Sequence, residues 1–244
     1  MNIVITGGTR GIGKGMVECF LKNNHNVTFS GTSIQSINEA LNDLKGNFHA
    51  VICDVSKPKD IEKLYFEAVE QFGHVDVWFN NAGVNQKRGE VSELLYTDID
   101  HVIDINVKGM MYATSFVVSK MKEVGVGIVY NMEGLGSDGR MIPETILYAS
   151  SKRLLRYFSQ GADKELKGTN VRVGTVSPGM VFTDLLMSET GDDAKKVINI
   201  LADDVDTVSK YICKNIELGK KKINWLTNRK VMKKFILSVF KKHN

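Results

Sequence analysis

NIVITGGTRGIGKG, residues 2–15, is the stretch that decides the fold of this 244-residue chain. Its first five residues form an apolar, β-branched run typical of a buried strand, and an amphipathic segment typical of a helix follows at 16–21. Between the two stand glycines at 7, 8, 11 and 13. Such a turn leaves backbone N–H groups facing an anion at a helix N-terminus, and a Cβ there would hold a pyrophosphate away. The stretch therefore predicts a dinucleotide-binding turn.

Beyond this stretch, apolar runs typical of strands alternate with segments that have helical spacing. Further strands are predicted at 26–30, 48–53, 75–79, 127–131 and 171–176, and further helices at 34–44, 58–72, 97–123 and 147–166. This alternation implies right-handed βαβ units. We therefore expect a single α/β domain at 1–218, with a Rossmann-type, doubly wound parallel sheet and helices on both faces. Residues 219–244 are predicted to be a basic, amphipathic C-terminal extension.

The composition is that of an ordinary globular chain, with 43% hydrophobic and 25% charged residues. Nine Lys/Arg and no Asp/Glu lie from Gly219 onward, so the rest of the chain is mildly acidic and nucleic-acid binding is not expected. Cys19, Cys53 and Cys213 lie far apart and the five histidines are scattered, which favours neither disulfides nor a metal site. With no signal peptide or membrane-spanning run predicted, we expect a cytoplasmic location.

Tyr148 and Lys152 are spaced i, i+4 at the start of a predicted helix, so their side chains share one face. A phenol with a pKa near 10 is a poor acid–base group at neutral pH. An ammonium beside it favours the phenolate and brings it closer to a working range. A tyrosine that merely packs beside a solvated lysine has the same spacing, so the pair needs support from other motifs.

Other motifs supply that support, because the set resembles the short-chain dehydrogenase/reductase family over about residues 1–190. The motifs are Thr6-Gly7-x-x-x-Gly11-Ile12-Gly13, Asp54-Val55, Asn80-Asn81-Ala82-Gly83, Asn106, Tyr148-x-x-x-Lys152 and Pro178-Gly179. The resemblance implies an oxidoreductase that transfers a hydride between a nicotinamide cofactor and a carbonyl or alcohol. It also implies a homodimer or homotetramer.

The resemblance implies specific roles for residues at matching positions. The implied cofactor-binding residues are Gly7, Thr9, Arg10, Gly11, Ile12, Gly13, Thr32, Asp54, Val55, Asn81, Ala82, Gly83, Tyr148, Lys152, Pro178, Gly179, Val181 and Thr183. Among them, Asp54 and Val55 would border the adenine, and Thr183 would meet the carboxamide. Tyr148 would be the proton donor or acceptor. Lys152 would hold the nicotinamide ribose and lower the Tyr148 pKa, while Asn106 would hold a water of the proton relay.

One position departs from the family pattern. The family usually has a serine three residues after the match to Asn131, where it binds the substrate oxygen, but this chain has Gly134 there. Ser137 lies three residues further on, and we expect it to take over the missing hydroxyl. Catalysis by Tyr148 alone, or with backbone N–H groups of the loop, is the alternative.

The departing segment itself resembles one branch of the family. Residues 131–140, 177–188 and 198–202 are similar to those of the chlorophyll b reductases, which use NADPH to reduce a formyl group on a large, flat, apolar pigment. The resemblance implies a bulky apolar substrate. A hydroxysteroid or bile-acid dehydrogenase is an alternative, and a cofactor-binding regulator without catalysis is a further one.

The end of the second predicted strand bears on the choice of cofactor. An NAD enzyme typically has an Asp or Glu there for the ribose 2′-OH, but this chain has Ser30-Gly31-Thr32-Ser33. Arg10, with Lys14 nearby, can instead pair with a 2′-phosphate, although both residues can equally be solvated surface charges. We expect NADP(H) to be preferred over NAD(H).

The tail has apolar residues at helical spacing among lysines. The apolar residues are Val231, Phe235, Ile236, Val239 and Phe240, and the lysines are Lys230, Lys233, Lys234, Lys241 and Lys242. Such a helix can lie on an anionic membrane surface, which would make the protein peripheral there. It can equally dock on the protein's own acidic body or on a second subunit.

Overall fold

The computed structural model describes residues 1–187 and 192–241, and the side chains of all of these except 187, 192–194 and 239–241. Its strands form one parallel, seven-stranded sheet. They are β1 (Asn2–Ile5), β2 (Asn26–Gly31), β3 (Phe48–Ile52), β4 (Val77–Asn80), β5 (Gly127–Met132), β6 (Val171–Ser177) and β7 (Lys222–Asn224).

Helices follow most of the strands, as the βαβ pattern requires. They are α1 (Gly11–Lys22), α2 (Ile34–Leu41), α3 (Pro58–Phe72), α4 (Tyr96–Ile103), α5 (Met110–Val124), α6 (Ile146–Glu165), α7 (Asp184–Met187), α8 (Asp192–Leu201), α9 (Val205–Glu217) and α10 (Asn228–Lys241). A 3₁₀ turn occupies Val91–Glu93, and a π-helical segment occupies Asp104–Gly109.

The order of the strands is β3-β2-β1-β4-β5-β6-β7, so the connection reverses direction between β1 and β4. Ligands of open α/β sheets bind in the crevice at such a switch point, beside the carboxyl ends of the strands. The glycine turn follows β1 and the Asn80–Gly83 motif follows β4, so the two lie at this crevice. The predicted Rossmann-type parallel sheet is confirmed.

The sheet separates two cores, because successive side chains of a strand point to opposite faces. Ile3 and Ile5 pack with α1 and α9 on one face, whereas Val4 packs with α3 and α5 on the other. Trp78, the largest fully buried side chain, joins the α3–α5 core. Both faces of the sheet are thus covered, and its carboxyl edge is left for the site.

Two elements differ from the prediction. The helix predicted at 97–123 is interrupted by the π-helical segment Asp104–Gly109, which separates α4 from α5. The strand β7, which pairs with β6 through Val176 and Ile223, was not predicted from the sequence. The sheet therefore draws on the segment 219–244 that was expected to be an extension, and the boundary at 218 stays a prediction.

Candidate active site

The glycine turn packs tightly at the crevice beside β1. Gly7 and Gly11 have φ of +63° and +54°, a backbone conformation that side chains other than glycine rarely adopt. A Cβ on Gly13 would collide with the carbonyl oxygen of Gly7. Among the described residues, no side chain caps the start of α1, because Arg10, which precedes the helix, makes no such hydrogen bond. The amides of the first turn of α1 are thus available to an anion.

These features fit the pyrophosphate of a dinucleotide. Glycine at three positions lets a phosphate approach the backbone, and the uncapped amides carry the positive end of the helix dipole. Gly7, Gly11, Ile12 and Gly13 would hold that group. The neighbouring Thr9 lies where its methyl group would meet a Cβ placed on Gly31, at the end of β2.

Asn81 and Ala82 bind the glycine turn directly. The Asn81 side-chain amide donates to the carbonyl oxygens of Thr6 and Gly7, at 3.0 and 2.9 Å. The backbone amides of Asn81 and Ala82 both donate to the Thr6 hydroxyl, at 3.0 and 3.1 Å. The motif after β4 therefore fixes the shape of the turn after β1.

Tyr148 and Lys152 lie on one face of α6, as the sequence predicts. The Lys152 ammonium is 5.6 Å from the centroid of the Tyr148 ring and donates to the Met132 carbonyl oxygen at 3.2 Å. Lys152 is only 4% exposed. A Cβ added to Gly83 would lie 3.5 Å from the Lys152 nitrogen, so the Asn80–Gly83 motif passes directly beside the ammonium.

Burial decides the protonation of both groups. It raises the pKa of Tyr148 to about 12, and it lowers the pKa of Lys152 to about 8. The expected lowering of the Tyr148 pKa by Lys152 is thus not found in this structure, because desolvation of the phenolate dominates. At neutral pH Tyr148 carries its proton and Lys152 is largely charged. A protonated phenol is the form that can donate to a substrate oxygen.

Asn106 lies in the π-helical segment and is 1% exposed. Its side-chain oxygen accepts from the Val84 amide and its nitrogen donates to the Val84 carbonyl oxygen, both at 2.9 Å. The same nitrogen donates to the Ser151 hydroxyl at 3.2 Å. Asn106 therefore joins the segment after β4 to α6 beside Tyr148, and its role in holding a water stays a prediction.

Gly134 and Ser137 lie against α6 in the loop after β5. A Cβ on Gly134 would be 2.5 Å from the Tyr148 hydroxyl oxygen, so the bare backbone at this position makes room for the phenol. The Ser137 hydroxyl donates to the Lys152 carbonyl oxygen at 3.1 Å and accepts from the Gly134 amide at 3.0 Å. Since its single proton is already bonded, this geometry favours a structural role, and the expected donor role stays a prediction.

The segment after β6 closes over the glycine turn. A Cβ on Gly11 would lie 3.4 Å from the Thr183 methyl group, and Val181 forms a bridge with Asp203. Gly179, which follows Pro178, has φ of +72° and packs against Leu226. Thr183 thus lies beside the glycine turn that is predicted to hold the pyrophosphate, and its expected contact with the carboxamide stays a prediction.

The remaining predicted cofactor residues follow β2 and β3, away from α6. Asp54 accepts from the amide and hydroxyl of Ser56, at 3.0 and 2.7 Å, and Val55 packs against Gly109. Thr32 is exposed. The structure therefore spreads the predicted set along the carboxyl edge, from β3 at one end to Tyr148 at the other.

Arg10 and Lys14 differ in their surroundings. Lys14 lies 3.7 Å from a carboxylate oxygen of Glu18 and 3.8 Å from one of Asp43. Arg10 is exposed at the turn. Arg10 is thus better placed than Lys14 to meet a ligand phosphate.

Three side chains of the site were not predicted from the sequence. Gln86, which is 2% exposed, accepts from the Tyr148 amide at 2.7 Å. The buried Glu133 pairs with Arg156, its carboxylate oxygen 3.5 Å from the guanidinium. Polar residues are common in loops that follow strands, so residue type alone does not mark Gln86 or Glu133 as part of the site. The position of Gln86 after the Asn80–Gly83 motif is a weak signal.

The C-terminal helix docks on the body of the protein, one of the three arrangements left open by the sequence. The Lys234 ammonium lies 2.7 Å from a carboxylate oxygen of Asp203, and the Lys230 ammonium lies over the Trp225 ring. Met232 and Ile236 on the outer face are exposed. The predicted Val239, Phe240, Lys241 and Lys242 lie outside the described side chains. No helix within 1–187 or 192–241 is long and apolar enough to cross a bilayer.

Comparison with known proteins identifies the family. The model of the short chain dehydrogenase family matches residues 1–194. The probable chlorophyll(ide) b reductase NYC1 of Arabidopsis thaliana is 32% identical over 97% of this chain and 53% of its own length. The chlorophyll(ide) b reductase NOL of Oryza sativa is 35% identical over 88% of this chain and 66% of its own. The chain thus spans about half to two thirds of the length of these curated relatives.

Solved structures have the same fold. Serine dehydrogenase complexed with NADP⁺ matches with a TM-score of 0.83 and 25% identity, over 93% of this chain and 95% of that one. A 3-ketoacyl-(acyl-carrier-protein) reductase from Brucella melitensis, complexed with NADH, matches with a TM-score of 0.82 and 22% identity, over 93% and 97%. The chain belongs to the short-chain dehydrogenase/reductase family of oxidoreductases, near the chlorophyll(ide) b reductase branch.

Proposed function

We propose that this enzyme uses NADPH to reduce a carbonyl group on a bulky apolar substrate, with Tyr148 as the proton donor. The observation that carries the proposal is the cluster at the carboxyl edge, in which the buried Lys152 meets the partly exposed Tyr148 and Gly134. When bound, the nicotinamide supplies the hydride that reduces the carbonyl carbon. Tyr148 donates its phenolic proton to the carbonyl oxygen, and the nearby Lys152 ammonium stabilises the phenolate that remains.

The apolar character of the substrate is supported by the loops beside the site. Phe182 and Leu185, which flank Thr183, are 42% and 39% exposed. Met141 and Ile142, in the loop before α6, are exposed as well. Exposed apolar side chains in the segments that follow the adjacent strands β5 and β6 suit a large, apolar ligand. Two relatives are named as chlorophyll(ide) b reductases, and we propose the substrate class that the resemblance implies, a formyl-bearing, flat, apolar pigment.

Two alternatives remain for the same site. A hydroxysteroid or bile-acid dehydrogenase would use an equally apolar pocket. Measuring the reaction with a panel of carbonyl substrates distinguishes such an enzyme from a pigment reductase. A cofactor-binding regulator without catalysis is disfavoured, because Tyr148, Lys152 and Asn106 are all retained and lie together.

Preference for NADP(H) is part of the proposal, and it rests on Arg10. Arg10→Ala is expected to raise the KM for NADPH about ten- to a hundredfold, because a charge-assisted hydrogen bond to the 2′-phosphate is worth about 1.5–3 kcal/mol. The KM for NADH, which has no 2′-phosphate, should hardly change. Steady-state kinetics with both cofactors measures the two effects.

Lys14→Ala is the matched control for Arg10→Ala. Lys14 carries the same charge one turn further along α1, but it is already near Glu18 and Asp43. We expect a much smaller effect on the KM for NADPH. An equal rise for NADPH and NADH in Arg10→Ala would remove the basis for the NADP(H) preference.

A homodimer or homotetramer is the proposed assembly. Tyr112 on α5 and Leu154 and Tyr157 on α6 are exposed, and large apolar side chains of this kind are favoured in interfaces between subunits. The cytoplasmic location expected from the sequence also stays a proposal.

Contact with a membrane surface is proposed for the outer face of α10. Met232, Ile236 and Leu237 are exposed there, together with Arg229 and Lys233. The segment from Gly219 onward has nine Lys/Arg and no Asp/Glu, which complements an anionic lipid surface. A substrate that partitions into lipid would be met at such a surface.

Vesicle flotation tests this contact. The full chain is expected to float at low salt with vesicles that contain an anionic lipid, and not with neutral vesicles. Met232→Gln/Ile236→Gln should lower the vesicle partition coefficient by about a hundredfold or more, because burial of each side chain is worth about 1.5–3 kcal/mol. This variant leaves the pair between Lys234 and Asp203 in place. Failure of the full chain to float at low salt would restrict α10 to a role in the fold or the oligomer.

A further inference from the structure

Gln86 connects three parts of the site although it was not predicted to belong to it. It lies three residues after Gly83 and is 2% exposed. Its side-chain nitrogen donates to the carbonyl oxygens of Glu144 and Lys87, at 3.1 and 3.3 Å. Its side-chain oxygen accepts from the Tyr148 backbone amide at 2.7 Å. A buried amide is stable only when it is hydrogen-bonded, and here both ends of the group are.

The bond to Tyr148 completes the start of α6. Tyr148 is the third residue of this helix, so its N–H has no partner within the helix. A side chain just before the helix usually accepts from this amide, but the Thr145 hydroxyl donates to the Ile142 carbonyl oxygen instead. Gln86 supplies the missing acceptor from 62 residues away in the chain.

The same contact fixes the loop in front of Tyr148. Glu144 has a φ of +65°, in the left-handed region that residues other than glycine seldom adopt. In this conformation its carbonyl oxygen accepts from the Gln86 side chain and from the Gly89 amide, at 3.1 and 3.3 Å. The segment after β4 therefore holds both the loop before α6 and the first turn of the helix.

Gln86 is also the last of three successive attachments made by one short segment. Asn81 binds the glycine turn through the Gly7 carbonyl oxygen, and the Val84 amide binds Asn106. Gln86 then binds Tyr148. One continuous stretch, residues 81–86, thus contacts both the turn that would hold the cofactor and the backbone of Tyr148, whose phenol would donate the proton.

We propose that Gln86 is a positioning residue that sets the place of Tyr148 relative to the cofactor turn. The inference rests on the proposed function, since Tyr148 must meet a substrate oxygen at hydrogen-bonding distance. An error of about 1 Å in such a placement can cost about a hundredfold in rate. Loss of the Gln86 contact should therefore reduce the proton-transfer step more than it reduces cofactor binding.

Two substitutions separate the roles of the side chain. Gln86→Met keeps the length and removes every hydrogen bond, whereas Gln86→Glu keeps an acceptor for the Tyr148 amide. Glu144→Gln is the control, because it removes the ion pair with Arg88 between the same two loops and leaves the Gln86 contacts intact. All are measured in the full chain by NADPH-dependent reduction of an aldehyde panel, by NADPH titration, and by amide hydrogen exchange without cofactor.

For Gln86→Met we expect kcat to fall about ten- to a hundredfold, with the Kd for NADPH within about twofold of wild type. Exchange of the Tyr148 amide should quicken about five- to tenfold, because the hydrogen bond that protects it is lost. Gln86→Glu should keep that amide protected and keep a kcat at least about threefold above that of Gln86→Met. Glu144→Gln should resemble wild type in all three measurements.

The proposal is overturned if Gln86→Met leaves kcat and Tyr148 amide exchange unchanged. It is also overturned if kcat and NADPH binding are lost together, since that pattern means that the site as a whole has come apart. If Gln86→Met does not fold, Gln86→Leu, which also removes every hydrogen bond of the side chain, takes its place, and an unchanged kcat with unchanged Tyr148 amide exchange overturns the proposal. A wild-type enzyme that reduces no aldehyde would contradict the proposed function, whereas amide exchange would still decide the role of Gln86.

Discussion

Tyr148→Phe is expected to lower kcat for carbonyl reduction by about 10² to 10⁴, the usual contribution of a general acid. The substitution removes only the hydroxyl group, so the ring still fills its place on α6 beside Lys152 and Gly134. Affinity for NADPH should therefore stay within about twofold of wild type, since no cofactor-binding backbone changes. Single-turnover kinetics and a cofactor titration on the same preparation measure the two quantities.

Lys152→Met provides the contrast. The ammonium is proposed both to hold the cofactor ribose and to stabilise the phenolate, so this variant should lose rate and NADPH affinity together. A Tyr148→Phe enzyme that kept more than about a tenth of the wild-type kcat would show that the phenol is not the acid.

Gly134→Ser is expected to lower kcat about a hundredfold or more, although it restores the residue that the family usually has there. A Cβ at this position would lie 2.5 Å from the Tyr148 hydroxyl oxygen and 3.1 Å from the Lys152 Cγ. Lys152 is 4% exposed and has little room to move, whereas the phenol is partly exposed and can be displaced. The phenol must then shift or rotate, and its alignment with the substrate oxygen is lost. Steady-state kinetics with the aldehyde panel measures the loss.

Gly161→Ala is the matched control for this experiment. Gly161 lies within α6, and a Cβ there would meet nothing within 4 Å. We expect wild-type kcat for Gly161→Ala and a low kcat for both Gly134→Ser and Gly134→Ala. Higher activity in Gly134→Ser than in wild type would mean that a serine hydroxyl is accommodated at the site, and that the bare backbone is not needed.

Local patterns in the sequence were enough to predict six of the seven strands and the position of Tyr148 and Lys152 on one face of α6. Alternation of side chains in β1 sends Ile3 and Ile5 to one core and Val4 to the other, and this period is readable directly from the residues. The glycine turn and the Tyr148–Lys152 pair depend on short spacings. Both features can be predicted from the sequence because their residues are close together along the chain.

Long-range contacts explain what the sequence did not predict. The strand β7 is three residues long, and Ile223 is its one buried residue. It is therefore too short to show the alternation of apolar and polar residues that predicts a strand. The bond from Gln86 to Tyr148 joins two loops that are remote in sequence. Packing selects the rotamer in which the Ser137 hydroxyl points toward the Lys152 carbonyl oxygen. None of these can be derived from spacing alone.

The central claim is that hydride passes from NADPH to a carbonyl while Tyr148 supplies the proton. Its most direct test is to incubate the enzyme with NADPH that carries deuterium on the transferred position, together with a panel of bulky aldehydes that includes a formyl-bearing tetrapyrrole. Mass spectrometry of the alcohol products is the readout. We predict one deuterium in each alcohol formed, in a one-to-one ratio with NADPH consumed, and almost none with Tyr148→Phe. An enzyme that binds NADPH but places deuterium on no member of the panel would contradict the claim.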